Sequence, residues 1–256
     1  MIVRKNMAEL EKMRAAGLLV WKILDTLRNM VSEGVTTYEL EVTAEKMMAE
    51  AGARPAFKGY STAAAGTKFP FVLCTSVNEE IVHGMPSQRR VLKEGDIVSI
   101  DTGVQLNGYY GDSAVTVAVG KISEETRRLL DVTRESLELA IEKARPGNRL
   151  FDICGTVERH VTSNGFTVVR EFVGHGIGTQ MHEEPQIPNY VDRRSENPRL
   201  KEGMVLAIEP MVNAGKPGSR VKADKWTAVT EDGRYSAHFE HTVAVTANGP
   251  WVLTRP

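Results

Sequence analysis

The sequence predicts an α+β protein built of two similar lobes with antiparallel sheet, and three observations predict it. In each half, segments of helical period precede segments rich in β-branched residues, an order that indicates α+β and not a βαβ wind. Two blocks of the first half return, in the same order, in the second. No low-complexity linker divides the halves, so one compact unit is expected over 1–256, with lobe one at about 1–120 and lobe two at about 121–256.

The first elements are helical. Apolar spacing predicts helices over 7–31 and 124–144, each running to a Gly-containing break, and second helices over 37–51 and 150–164. Leu40, Ala44, Met47 and Met48 share one face of the former second helix, as Ile153, Val157 and Val161 do in the latter. These helices carry the first echo: Gly34, Thr43, Glu45 and Gly52 answer Gly147, Thr156, Glu158 and Gly165 at an offset of 113.

Strands follow. "FPFVLCTSVN", "DIVSIDTG" and "AVTVAVG" are predicted in the first half, and "FTVVREFVG", "MVLAIEPMV", "WTAVT" and "HTVAVT" in the second, bounded by Gly, Pro and Asn. The second echo lies here: "LKEGDIVSID" from Leu92 and "LKEGMVLAIE" from Leu200 are offset by 108. The fall from 113 to 108 places about five extra residues in lobe one, and "STAAAGT" (61–67) is their expected position.

Bulk properties exclude several function classes. A formal charge of −1 with scattered Lys and Arg gives no footprint for nucleic acid or an anionic membrane. No apolar run approaches the ~18 residues of a membrane span, and the charged start lacks the apolar stretch of a signal peptide. Cys74 and Cys154 show no metal-site spacing, so a reducing, cytoplasmic setting is expected.

Each half also supplies two acids. Asp101 and Glu209 end the echoed strands, while Asp112 and Glu240 open valine-rich runs. Single acids after strands are ordinary surface residues, but a duplicated pattern predicts convergence between the lobes. Buried carboxylates need partners, and four of them match the charge of two divalent cations. "GHGIGTQMHEEP" adds His175 among glycines, with His182 seven residues on, and His83 precedes a glycine in lobe one. An imidazole in oxygen-rich surroundings suits Mn, Fe, Co or Zn. His160, His238 and His241 have no comparable setting: His160 is read as structural, and His238 and His241 are expected to alternate with Glu240 across a strand.

"TSVNEEIVHG", "DIVSIDTG", "GDSAVTVAVG", "GHGIGTQMHEEP", "AIEPM" and "FEHTVAVT" together resemble the motif series of type I methionine aminopeptidases, in order and across nearly the whole chain. The resemblance implies the pita-bread metallopeptidase fold of family M24, with two pseudo-twofold-related lobes whose antiparallel sheets are flanked by helices. It implies two divalent ions (Co, Mn, Fe or Zn), held by Asp101 on one side, His175 with Glu209 on the other, and Asp112 and Glu240 between. Attack by a bridging water or hydroxide on the peptide carbonyl is the implied reaction, with Glu209 as base, His182 on the carbonyl oxygen and His83 on the peptide nitrogen. It removes initiator methionine when the next residue is small.

Phe69, Cys74, Met181 and Trp226 are the implied walls of the methionine pocket, beside an ordinary core reading of the same residues. Met181 stands where the family often has an aromatic. "FKGYSTAAAGTKFP" departs from a shorter family pattern, with Phe57 and Tyr60 at the pocket mouth. A monovalent cation near Asn78 and Ser236 is also implied. Expected partners are N-terminal Met peptides and nascent chains near the ribosome, met by a cytoplasmic monomer, with no nucleic-acid or membrane contact.

Two rival readings differ in testable ways. A proline-specific peptidase of the same fold usually carries a further N-terminal domain, whereas about 70 residues precede the motifs here, and a type II enzyme needs an insertion between His182 and Glu209. A non-catalytic binding protein that kept the fold would lack a ligand, yet all five are present, as are His83 and His182.

Overall fold

The computed structural model describes residues 1–62 and 65–256. Helix α1 (Met7–Met30) begins at Asn6, whose side chain accepts from the Glu9 N–H at 3.0 Å while Glu9 accepts from the Asn6 N–H at 2.8 Å. This reciprocal pair satisfies two otherwise orphaned donors. Thr36 and Glu39 repeat it at the start of α2 (Thr37–Glu50). The second lobe supplies α3 (Glu124–Ile141), capped by Ser123, and α4 (Leu150–Ser163). Helices α2 and α4 are both 14 residues long and start 113 residues apart, the offset read from the sequence.

Among the described residues nine strands form one sheet that runs through both lobes. Its central order is Arg54–Pro55, Ile97–Leu106, Tyr109–Ala118, Glu240–Thr246, Val205–Ile208, Gly174–Gly176 and Glu183–Ile187, with antiparallel neighbours throughout. Cys74–Val77 also pairs with Ile97–Leu106, and Gly249–Val252 with Glu240–Thr246. The lobes meet where Glu240 lies opposite Ala114 and His241 opposite Ser113. The echoed strands begin at Ile97 and Val205, again 108 residues apart.

The strand expected to end at Asp101 runs on to Leu106, since its pairing with Tyr109–Ala118 continues to the hairpin turn, and three further differences each have a local cause. Asp112 lies inside a strand, because Asn107 and Gly108 (φ 53° and 83°) make a tight hairpin turn that starts the strand at Tyr109. Positive φ at both central residues is what a two-residue hairpin requires. "FPFVLCTSVN" pairs only over Cys74–Val77: Pro70 has no donor, and the Val72 and Leu73 N–H groups donate to the buried Glu41 carboxylate at 2.8 and 2.9 Å. "FTVVREFVG" splits, Thr167–Val168 joining Met211–Asn213 and Gly174–Gly176 joining the large sheet. The insertion expected over 61–67 includes residues 63 and 64, which lie outside the described residues.

Strand alternation sorts the core from the site. Val98, Ile100 and Val104 point to α1 and α2, where Val20, Ile23, Leu27, Leu40 and Ala44 are buried with them. Leu206, Ile208 and Val243 meet Leu129, Ile153 and Val157 of α3 and α4 in the same way. Truncating one of these buried Leu or Ile side chains to Ala costs about 2–5 kcal/mol. The odd-numbered neighbours Asp101 and Glu209 therefore face away from the helices.

Candidate metal centre

Register alone places five side chains on that second face. Asp101 is opposite Ala114, and Asp112 is opposite Gly103, so the two acids are diagonal neighbours on one side of the hairpin. Ala114 is opposite Glu240 across the seam between the lobes. Thr242, two residues on from Glu240, is opposite Ala207, which is also opposite His175 and two residues short of Glu209. Asp101, Asp112, His175, Glu209 and Glu240 thus line one concave surface, as the duplicated pattern predicts. The glycines around His175 permit the approach of its neighbours: a Cβ on Gly174 would lie 2.4 Å from the Ala207 carbonyl oxygen, and one on Gly176 2.2 Å from that of Glu184.

The electrostatics of this cluster call for a cation. Asp101, Asp112 and Glu240 are buried, and each has one oxygen (Oδ1, Oδ1 and Oε1) without a hydrogen-bond partner among the described residues. Burial, then the neighbouring Asp112, raises the Asp101 carboxyl well above the usual range. Burial pushes Asp112 up to about 7, against a lowering bond from the Ser113 N–H. Glu209 and Glu240 are raised by burial and then by the surrounding acids. Four such groups cannot all ionise alone, and a positive ion among them removes the conflict.

His175 is prepared as a nitrogen donor. Its Nδ1–H donates to the Gly176 carbonyl at 2.9 Å, which leaves the Nε2 lone pair free. That atom stands 3.6 Å from Glu209 Oε1 and 3.8 Å from Asp112 Oδ2. Burial, followed by His182, lowers its pKa to about 3, so the ring is neutral. Donor atoms of Asp112, His175 and Glu240 all lie within 4.8 Å of one another. With bonds of ~2.0–2.2 Å, such donors are close enough to share an ion, and the mixed carboxylate and imidazole set fits Mn, Fe, Co or Zn.

These groups form the floor of a cavity of about 300 Å³ that also holds His83, His182, Phe69, Cys74, Met181 and Trp226. Phe69, Cys74 and Trp226 belong to one apolar cluster, with the Phe69 and Trp226 rings edge-on at 5.3 Å. Met181 closes another side from a separate cluster with Leu10 and Met13. His83 has φ of 60°, a sparsely populated conformation for a non-glycine residue. Burial lowers its pKa to about 4 and that of His182 in the same direction. The His182 ring lies 4.3 Å from that of His175, and its Nδ1 is 3.0 Å from the Tyr60 hydroxyl. Asn78 and Ser236 also meet, the Ser236 N–H donating to the Asn78 carbonyl at 2.9 Å.

His238 corrects the sequence reading. It lines the cavity, with Nε2 buried, without a hydrogen-bond partner among the described residues, and 3.6 Å from Glu209 Oε2. The signal was present: His238 is two residues from Glu240, and positions two apart in extended chain share a face. His241 does point to the other face, where Nδ1 lies 2.9 Å from Thr254 Oγ1. His160 stays outside the site, with Nε2 3.3 Å from Glu135 on the neighbouring helix. Tyr60, read only as a residue of the pocket mouth, reaches His182 directly.

Comparison with known proteins agrees with this geometry. Residues 11–247 match metallopeptidase family M24. A methionine aminopeptidase of Clostridium acetobutylicum is 50% identical over 254 residues, 99% of each chain, and methionine aminopeptidase 1 of Bacillus subtilis is 50% identical over 255 residues, 100% of each. The crystal structure of methionine aminopeptidase from Thermotoga maritima superposes with a TM-score of 0.94 at 46% identity, with full coverage of both chains. Prolidase from Pyrococcus furiosus shares the pita-bread fold at a TM-score of 0.77 and 26% identity, covering 99% of this chain and 66% of that one. Among the described residues no helix is long and apolar enough to cross a membrane. A match over nearly the whole chain, with relatives at 50% identity end to end, shows that this protein belongs to metallopeptidase family M24.

Proposed function

We propose that this chain is a methionine aminopeptidase, removing N-terminal methionine from peptides and nascent proteins when the next residue is small. The observation that carries the reading is the convergence of five metal-compatible donors on the floor of a cavity with apolar walls. Relatives at 50% identity named methionine aminopeptidase support the same substrate.

Asp101, Asp112, His175, Glu209 and Glu240 would hold two divalent ions of the Co, Mn, Fe or Zn class. Bound there, the ions supply Lewis acidity and a nucleophilic water at neutral pH. The chain's own residues do the rest. Glu209, the least buried of the four acids, accepts the proton of the attacking water. His182 donates from its cavity-facing nitrogen to the carbonyl oxygen as negative charge develops, where a preorganised donor is worth most. His83 holds the peptide nitrogen at the scissile bond. Phe69, Cys74, Met181 and Trp226 enclose the methionine side chain and exclude water from it.

The wider reading takes up what the sequence resemblance implies. The whole chain acts as one catalytic unit of two lobes, about 1–120 and 121–256, working as a cytoplasmic monomer near the ribosome. A monovalent cation beside Asn78 and Ser236 would steady the loop leading to Ile97. The test is metal-loaded protein presented with Met-Ala-Ser and with an Ala-Pro peptide. Release of methionine from the first alone is expected, and cleavage of the proline peptide instead contradicts the assignment.

A further inference from the structure

The loop from Phe57 to Phe69 is closed by its own backbone. The Gly59 N–H donates to the Phe69 carbonyl, the Phe69 N–H to the Tyr60 carbonyl, and the Tyr60 N–H to the Phe57 carbonyl, each at 2.8 Å. It is tied to the cavity wall where Trp226 Nε1–H donates to Thr67 Oγ1 at 3.1 Å. This closure brings the Tyr60 hydroxyl to 3.0 Å from His182 Nδ1, with ring centroids 5.3 Å apart at 56°. Both side chains line the cavity. No other hydrogen bond from a described residue reaches the His182 ring.

We infer that Tyr60 is a positioning residue for His182: its hydroxyl donates to Nδ1 and so keeps the imidazole proton on Nε2, on the cavity side. The inference rests on the role proposed above for His182. A neutral imidazole has one proton for two nitrogens. When Nδ1 accepts from Tyr60, Nε2 must carry the proton and can donate to a developing oxyanion. The other tautomer spends the proton on Tyr60 Oη and turns the Nε2 lone pair toward the oxyanion, which is repulsive. The loop thereby gains a task, which is to set the tautomer of a histidine 122 residues away in sequence.

Tyr60→Phe keeps the ring and removes only the hydroxyl. In zinc-loaded protein, nitrogen–proton correlation spectra should show His182 with a protonated Nε2 and a bare Nδ1, with its signals identified by their loss in His182→Ala. Tyr60→Phe should move those nitrogen shifts toward a mixture of tautomers. It should also lower kcat on Met-Ala-Ser roughly fivefold to tenfold, the scale of one neutral hydrogen bond, and leave KM within about twofold. In a His182→Ala background it should have no further effect. Unchanged nitrogen shifts in Tyr60→Phe overturn the inference, as does an equal fall in kcat when His182 is absent. Full activity of His182→Ala would instead overturn the role proposed for His182, while the nitrogen shifts still report on the Tyr60 bond itself.

Discussion

Asp101 and Asp112 stand diagonally across neighbouring antiparallel strands, each with one buried carboxylate oxygen that has no hydrogen bond among the described residues. Two such groups repel when ionised, so the folded chain gains most from an ion that touches both. Divalent metal at about 100 times its Kd should stabilise the fold by ~2.7 kcal/mol. That is a rise of roughly 5–10 °C in Tm for a protein of this size. Asp101→Asn should shrink the rise, and scanning calorimetry with and without metal measures both.

Glu209 has an imidazole near each oxygen, His175 at 3.6 Å from Oε1 and His238 at 3.6 Å from Oε2. Glu209→Gln retains the shape and removes both the charge and the proton acceptor. Its kcat should fall by at least ~10²-fold, as loss of a general base requires. Metal content measured on the same sample separates lost binding from lost chemistry. A variant that turns over at the parent rate would show that this acid is not at the reacting centre.

The His182 loop is anchored from the far end of the chain. Lys5 Nζ lies 2.5 Å from Glu183 Oε2 in an almost fully buried pair, and Glu183 Oε1 accepts from the Thr179 and Gln180 N–H groups. Lys5→Met leaves the carboxylate buried without its cation, which costs about 3–5 kcal/mol. A lower urea midpoint should be joined by a lower kcat, because the same loop carries Met181 and His182.

Asp224 holds the turn that presents Trp226. Burial raises its pKa, but bonds from the Thr227 hydroxyl and from the Trp226 and Thr227 N–H groups lower it further, so the net shift is downward. The folded carboxyl binds its proton less readily than the unfolded one. Its stabilisation is therefore complete above the unfolded value of about 3.9 and fades as pH falls through the lower folded value. Wild type should exceed Asp224→Asn in urea midpoint equally at pH 7 and pH 5. The difference should narrow at pH 3.5.

Much of the site could be read from the chain because duplication made four acids stand out. Asp101 and Glu209 hold matching places in the echoed segments, and strand alternation carried that echo to one face. Helices α2 and α4 were equally legible, since each buries a regular apolar face. His238 shares the parity of Glu240, so its place in the cavity was legible from the same strand rule. Tyr60 is a different case: its partner lies 122 residues away, and only the closure of its loop brings them together. The late start of the "FPFVLCTSVN" strand has the same origin, because Glu41 of α2 takes the backbone donors that would have begun it.

The proposed metal site requires both lobes to deliver their acids to one place. Anomalous diffraction from crystals of manganese- or zinc-loaded protein tests it most directly. Two adjacent peaks enclosed by Asp101, Asp112, His175, Glu209 and Glu240 are predicted. Peaks elsewhere, or none among these five residues, would contradict the account.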